Sequence, residues 1–237
     1  MKLFIALLLN ILLLVGLASW LRAEYRRAAP GLRRWLLPTL GLRLAIGLFQ
    51  KSPDAVYMSS LTGGLTEQLW ARPGAAWALW QGNTLRIGEY VLTMYEWSNT
   101  LFIIKLMALL NVASLGSLRL NSLYFTLACY VACWQLVSVL RRLFPAAPLG
   151  AALVAFLLWP SVVWWSTGIA KETLVIGTGA ALVALTLSEL YGLVAASGWS
   201  RLRRGLLLLG LAWLHVRLRY FFALPLLGSL LALSTVV

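Results

Sequence analysis

Trp159-Pro-Ser-Val-Val-Trp-Trp-Ser-Thr-Gly-Ile-Ala-Lys-Glu172 separates two long apolar runs. One run leads into this stretch from Leu149, and residues 173–193 carry the apolar pattern away from it. A charged side chain at the edge of the hydrocarbon region is costly unless it meets water, a partner or a ligand. We therefore expect residues 159–172, called the polar segment below, to lie at one membrane face and to help form a site.

The whole chain has the composition of a membrane protein with several spans. Of its 237 residues, 61% are hydrophobic and 11% are charged, whereas a soluble domain carries roughly 25% charged residues. The net charge of +13 comes from short arginine clusters between apolar runs, which is typical of cytoplasmic loops facing anionic headgroups and does not favour nucleic acid as a partner. We expect an all-α, polytopic transmembrane helix bundle forming one domain over residues 1–237, with about six to eight membrane-embedded helices, some half-length or interfacial.

The arginine clusters predict the topology. The apolar run Leu3–Leu21 is about one span long and lacks a small-x-small cleavage site, so we interpret it as a retained anchor rather than a signal sequence. The arginines of residues 22–34, 141–142 and 201–204 are all expected in the cytoplasm. This arrangement places the amino terminus and the polar segment on the outer face.

Two apolar stretches complicate the count of spans. Trp35–Gln50 is about 24 Å long as a helix, and its Arg43 must face protein or a water-filled cavity, as a paired structural residue or a functional one. Thr100–Ser117 is interrupted by Lys105 and other polar residues. We expect it to be interfacial or re-entrant, because this keeps the arginine clusters on one face.

The last stretch departs from the pattern. Gly205–Leu214 is about half a span, and His215, Arg217 and Arg219 follow it before the apolar residues 220–237. This predicts either a broken helix with a polar tip at depth or at the outer face, or a single tilted interfacial helix. The chain ends directly after an apolar run, as a fragment of a longer protein would.

Residues 51–98 form the one long polar stretch between spans and are predicted to be an outer loop. The loop contains four of the chain's tryptophans, which favour the headgroup level, so we expect short interfacial helices there. Pro53 predicts a helix start with Asp54 in the first turn. Asp54 would then share the outer face with Lys171 and Glu172.

These side chains fit the transfer of a group from a lipid-linked donor. A carboxylate can accept a proton from a hydroxyl nucleophile. Lysine and arginine can hold a phosphate or pyrophosphate leaving group, arginine in a bidentate way. Aromatic rings beside them suit a sugar face or a polyprenyl chain.

The polar segment from Pro160 to Glu172 resembles the PS-hydrophobic-W-S-G-hydrophobic-K-D/E signature of bacterial membrane proteins related to the C-type glycosyltransferases. Pro53-Asp-Ala-Val-Tyr57 is similar to the aspartate-x-x-tyrosine segment of those proteins. Arg217-Leu-Arg-Tyr220 is similar to their later arginine-aromatic segment. The chain departs from the family in having no acidic neighbour to Asp54 before Glu67, and it is shorter than the full architecture.

The resemblance implies a glycosyltransferase of the bacterial cytoplasmic (inner) membrane, with an outward-facing site for a polyprenyl-phosphate-linked sugar. Asp54 would be the general base. The residues expected to bind substrate are Tyr57, Glu67, Trp165, Ser166, Lys171, Glu172, Arg217 and Arg219. No cofactor is expected, although a divalent cation held by Asp54 and Glu67 is an alternative. A metal cluster around His215 is not expected, because the chain has one histidine.

Two other functions fit the sequence. The chain could be a non-catalytic membrane subunit that binds lipid or stabilises a larger membrane complex. It could also be a small-solute transporter, which Arg43 and Lys105 at mid-span would suit. Structural roles are the alternative for individual residues: a helix cap for Asp54, interfacial anchors for Arg217 and Arg219, and packing for Cys129 and Cys133.

Overall fold

The computed structural model describes residues 1–50, 52–87, 89–193 and 198–236. Lys51 and Val237, which bound two of the predicted segments, lie outside the described residues. The described chain is helical apart from one two-stranded hairpin. The helices are α1 (Lys2–Arg27), α2 (Pro30–Arg33), α3 (Leu36–Phe49), α4 (Pro53–Ala71), α5 (Ala76–Gln81), α6 (Asn99–Ser114), α7 (Leu118–Leu143), α8 (Leu149–Leu153), α9 (Pro160–Trp165), α10 (Lys171–Leu190) and α11 (Gly198–Val236). A 3₁₀ turn (Pro73–Ala75) precedes α5, a π-helical turn (Val154–Leu158) follows α8, and the strands are β1 (Thr84–Ile87) and β2 (Tyr90–Thr93).

Helices α1, α7, α10 and α11 are long and apolar enough to cross a membrane. The predicted anchor Leu3–Leu21 is part of α1, and only 6% of an 18-residue apolar stretch of this helix is buried within the protein. Such an exposed apolar helix is stable where lipid surrounds it. The chain is therefore an integral membrane protein, as its composition predicts.

Helix α7 is the centre of the bundle. Helix α10 runs parallel to it at close range, because Gly177 has no side chain: an added Cβ would lie 3.0 Å from the Cα of Cys129. Helix α3 runs antiparallel on another side, where Ser122 donates a hydrogen bond to the carbonyl of Gly47. Cys129 and Cys133 are free and buried in this core, in agreement with a packing role.

Helices α4 to α6 and the hairpin form a layer, called the cap, at the end of the bundle that holds the polar segment. Both ends of α6 lie at this end. Near its start, Thr100 accepts a hydrogen bond from Lys171 at the first residue of α10 (2.7 Å). Near its end, Asn111 accepts one from Asn121 at the start of α7 (2.6 Å). Helix α6 therefore does not cross the bundle, as predicted, but it is enclosed by protein rather than exposed at an interface.

The hairpin in the cap was not predicted from the sequence, which indicated short interfacial helices within residues 51–98. Strand β1 pairs antiparallel with β2, from Thr84 opposite Thr93 to Ile87 opposite Tyr90. Leu85 is buried against the cap helices. The short length of each strand left too little alternation to separate it from a loop.

The arginine clusters gather at the opposite end, called the basic end. Arg27, Arg141 and Arg142 line one cavity there. Arg204 forms an ion pair with Glu189, near the last residue of α10, whose first residue lies at the polar segment. This arrangement agrees with the prediction that the arginines of residues 22–34, 141–142 and 201–204 share one membrane face.

The apolar run before the polar segment is not one helix. Helix α8 widens into the π-helical turn, and Pro160 starts α9 after an extended residue, Trp159. The fully buried Arg43 of α3 donates hydrogen bonds to the carbonyl of Phe156 in this turn (2.6 Å) and to the side chain of Ser166. The prediction that Arg43 faces protein or a cavity is confirmed, and protein is what it faces.

Helix α11 is broken at Arg219, where the backbone is extended (φ −159°, ψ 92°). This confirms the predicted break. The predicted half-length of Gly205–Leu214 is wrong, because the helix already begins at Gly198 and includes Arg204. After the break the chain turns back along α10. His215 and Leu226 lie on the two sides of the break, and a Cβ added at Gly179 would lie 3.4 Å from Cε1 of His215 and 3.6 Å from Cδ2 of Leu226.

Candidate functional site

A cluster of charged side chains lies where the polar segment meets α6 and the break in α11. Lys171, the first residue of α10, donates a hydrogen bond from Nζ to Oγ1 of Thr100 (2.7 Å). Glu172 forms an ion pair with Arg219. All three charged residues are partly exposed, so they can meet a ligand from outside the protein.

Arg217 completes this cationic cluster. It donates a hydrogen bond to the carbonyl of Glu96 (3.3 Å), and its guanidinium carbon lies 4.7 Å from the ring centroid of Trp97 and 5.3 Å from that of Phe102. Such ring contacts stabilise a cation and fix its orientation. Asn99 also donates to the carbonyl of Leu218 (3.2 Å), which holds the break in α11 against the start of α6.

Local backbone features position the polar segment. Gly168 adopts a positive φ of 74° between α9 and α10, which favours glycine. An added Cβ there would lie 3.1 Å from Oε1 of Gln50. The Gly168 amide donates a hydrogen bond to Oγ1 of Thr126 (2.9 Å). This turn brings Lys171 and Glu172 to the first turn of α10, where the helix dipole favours the glutamate and not the lysine.

Of the predicted contacts within the polar segment, Ser166 and Trp165 differ in exposure. Ser166 is fully buried, accepts a hydrogen bond from Arg43 and donates one to the carbonyl of Val162. It therefore holds the segment in place rather than facing a ligand. Trp165 is 52% exposed and Trp164 is 55% exposed, as expected for aromatic residues at headgroup level.

Asp54, Tyr57 and Glu67 are exposed residues of α4. Ser52, not Asp54, caps the helix by accepting a hydrogen bond from the amide of Ala55 (3.1 Å). Among the described residues, no hydrogen bond or ion pair joins the Asp54, Tyr57 or Glu67 side chains to the cationic cluster. Asp54 and Glu67 are thirteen residues apart on one helix, or about 20 Å along its axis. The alternative of a cation bound by both is therefore wrong.

The start of α4 nevertheless lies at the polar-segment end. Gln50, four residues before Asp54, accepts a hydrogen bond from Thr167 (2.7 Å) and donates one to the carbonyl of Trp164 (3.2 Å). Asp54 thus lies at the predicted end of the molecule, without direct contact to Lys171. The structure brings together Lys171, Glu172, Arg217 and Arg219, and it places Asp54 on the same side.

Three contributors to the cluster were not predicted from the sequence: Thr100, Trp97 and the backbone of Glu96. The serine cap at Ser98 before an apolar helix was a signal for the start of α6. Deeper in α6, Lys105 is buried and donates to the carbonyl of Trp80. Burial and the nearby Arg217 lower the pKa of Lys105, and Glu96 opposes this effect.

An apolar cavity of about 440 Å³ lies between α7, α10 and α11. Its lining includes Thr173 and Leu174, which directly follow Glu172, and extends along α10 to Ser188. That distance is about 22 Å along the helix axis. Apart from Gln135, Thr173, Thr178 and Ser188, the lining residues are apolar. The cationic cluster therefore lies beside one end of an elongated apolar cavity.

The fold and the site define an integral membrane protein with a cationic cluster next to an apolar cavity. Comparisons of the chain with protein-family models, with curated proteins and with solved structures found no match. The resemblance to the C-type glycosyltransferases stays a prediction.

Proposed function

We propose that this protein binds a phosphate-bearing lipid at the polar-segment end. The lipid phosphate lies between Lys171, Arg217 and Arg219, and the hydrocarbon chain occupies the cavity between α7, α10 and α11. The observation that carries the proposal is the direct continuity between the two parts: residues 171 and 172 belong to the cluster and residues 173 and 174 line the cavity.

The electrostatics support binding of an anion. Three cations share the cluster with one carboxylate side chain in ion-pair contact, that of Glu172. Thr100 and the aromatic rings beside Arg217 orient two of these cations before a ligand arrives. Preorganised lysine and arginine side chains bind phosphate strongly, arginine in a bidentate way.

We further propose that the lipid carries a sugar and that the reaction is glycosyl transfer, as the sequence resemblance implies. Asp54 accepts the proton of an acceptor hydroxyl, whose oxygen attacks the anomeric carbon of the sugar. The bond from that carbon to the lipid phosphate oxygen breaks, and Lys171 and Arg217 stabilise the departing phosphate. The position of α4 beside the polar segment supports this role for Asp54.

The proposed location is the bacterial cytoplasmic membrane, with the site on the outer face. The gathering of the arginine clusters at the basic end supports this orientation, because cytoplasmic loops carry the excess of arginine and lysine. The cap would then cover the site on the outside.

Lipid binding is tested by native mass spectrometry of the purified protein with a polyprenyl phosphate, after identification of the lipids that co-purify. Lys171→Ala should weaken binding about tenfold, because one charge-assisted contact to phosphate is lost. Lys2→Ala removes the same charge from the start of α1, where Nζ lies over the Trp70 ring, and should have no effect. Equal affinities for the wild type and Lys171→Ala would contradict the proposed lipid site.

Transfer is tested separately with a polyprenyl-phosphate-linked sugar and a hydroxyl acceptor. Asp54→Asn should abolish transfer and leave lipid binding unchanged, since the amide cannot take the proton. Glu89→Gln makes the same chemical change at an exposed position of the hairpin turn and should retain activity. Unchanged turnover in Asp54→Asn would exclude Asp54 as the base.

A non-catalytic lipid-binding subunit is the second candidate function. It is favoured by the absence, among the described residues, of a direct contact between Asp54 and the cationic cluster. Lipid binding without any transfer by the wild-type protein would establish this function instead.

A further inference from the structure

We propose a second anion site, at the basic end, that binds a phosphate group. A cavity of about 400 Å³ lies there between the end of α1, the start of α2 and the end of α7. This basic-end cavity is at the opposite end of the bundle from the proposed lipid site and does not depend on it. Its charged and hydroxyl-bearing lining residues are Arg27, Ser138, Arg141 and Arg142.

The charge of the cavity favours an anion. Arg27, Arg141 and Arg142 all line it, and no described lining residue is acidic. Glu24, one turn before Ala28 on α1, is buried and accepts a hydrogen bond from Nε1 of Trp134 (3.2 Å). The three positive charges at the cavity are therefore not balanced by a carboxylate of the lining.

Ser138 supplies an independent sign of a ligand. It is 3% exposed and lines the cavity, and its hydroxyl has no hydrogen-bond partner among the described residues. Buried hydroxyls almost always have a partner. Ser188 on α10 illustrates the usual arrangement, since its hydroxyl donates to the carbonyl of Ala184 (2.7 Å). A phosphate oxygen in the cavity would accept the hydrogen bond that the Ser138 hydroxyl does not make within the protein.

The guanidinium of Arg141 is held in place at the wall of the cavity. One of its terminal nitrogens donates to the carbonyls of Pro145 and Ala147 (2.9 Å each), which holds the turn between α7 and α8. A guanidinium has five N–H donors, so donors remain on the other nitrogens for a ligand. The site therefore combines a positioned arginine, a buried hydroxyl and two arginines, Arg27 and Arg142, exposed at the mouth.

The phosphate could belong to a lipid headgroup of the adjoining leaflet or to a free phosphate, because both present the same oxygens. The test measures binding to the full chain in detergent by isothermal titration, at fixed ionic strength. One arm uses inorganic phosphate, and the other uses short-chain phosphatidylglycerol. The arm with the tighter saturable binding identifies the source.

Two variants test the site itself. Arg142→Gln and Ser138→Ala should each weaken binding in the favoured arm, Arg142→Gln by about tenfold. Ser138→Ala should leave the melting temperature of the ligand-free protein unchanged or higher, because it removes an unpartnered buried hydroxyl. A purely structural role for Ser138 predicts a lower melting temperature instead.

Matched controls distinguish binding at this cavity from non-specific electrostatic attraction and from binding at the polar-segment end. Arg203→Gln removes the same charge from an exposed position of the third arginine cluster and should keep wild-type affinity. Lys171→Ala should leave binding at the basic end intact, whatever it does to polyprenyl phosphate binding. Equal losses in Arg142→Gln and Arg203→Gln, or no saturable binding in either arm, would overturn the proposal.

Discussion

At the residue scale, two basic side chains, Arg43 and Lys171, have different roles. Arg43 is fully buried and donates hydrogen bonds to two carbonyls and a hydroxyl of the protein, whereas Lys171 is partly exposed and donates a hydrogen bond to one threonine. The sequence shows both as charges in or beside apolar runs. The partners of Arg43 are 113 and 123 residues away in the chain, and the partner of Lys171 is 71 residues away. The difference in role therefore depends on contacts that no local pattern encodes.

Arg43→Lys should destabilise the protein by about 2 kcal/mol. The variant keeps a buried charge, but a single ammonium group does not reproduce the fork that contacts Phe156 and Ser166 together, and a buried acceptor left without its donor is costly. Thermal unfolding of the purified protein measures the effect.

Arg119→Lys is the matched control, since Arg119 is exposed at the start of α7. Its effect should stay within about 0.5 kcal/mol. Wild-type stability of Arg43→Lys would show that the guanidinium fork does not hold the π-helical turn to the polar segment.

At the element scale, the sequence predicted the long helices and the breaks better than the short elements. Residues 118–143 and 171–190 are apolar enough, and long enough, to be recognised from composition alone. Three basic residues at alternate positions after an apolar run, His215, Arg217 and Arg219, predicted the break in α11. Its position at Arg219, however, depends on the ion pair with Glu172 and on packing against α6.

The cap was the least predictable element. Helix α6 is apolar on nearly all sides because protein surrounds it, and this composition resembles that of a membrane span. The prediction that it does not cross came from the charge balance of the flanking loops and not from the helix itself. The hairpin strands have four residues each, which is too short for a reliable period-two pattern.

At the scale of the whole molecule, the two ends differ in charge and in the groups that they present. The polar-segment end presents tryptophans and a cationic cluster next to an apolar cavity. The basic end presents arginines around a small cavity without an acidic lining residue in the described chain. Because arginine-rich loops stay in the cytoplasm, this asymmetry predicts one orientation in the membrane.

Orientation is accessible to thiol labelling, because the two native cysteines are 1% and 0% exposed and react slowly when folded. Ser161→Cys places a thiol at an exposed position of the polar segment, and Ala146→Cys places one in the exposed turn at the basic end. A membrane-impermeant maleimide added to intact cells should label Ser161→Cys at once. Ala146→Cys should react only after the membrane is opened. The reverse pattern would put the cationic cluster in the cytoplasm, and the proposed outward-facing transfer reaction would then be wrong.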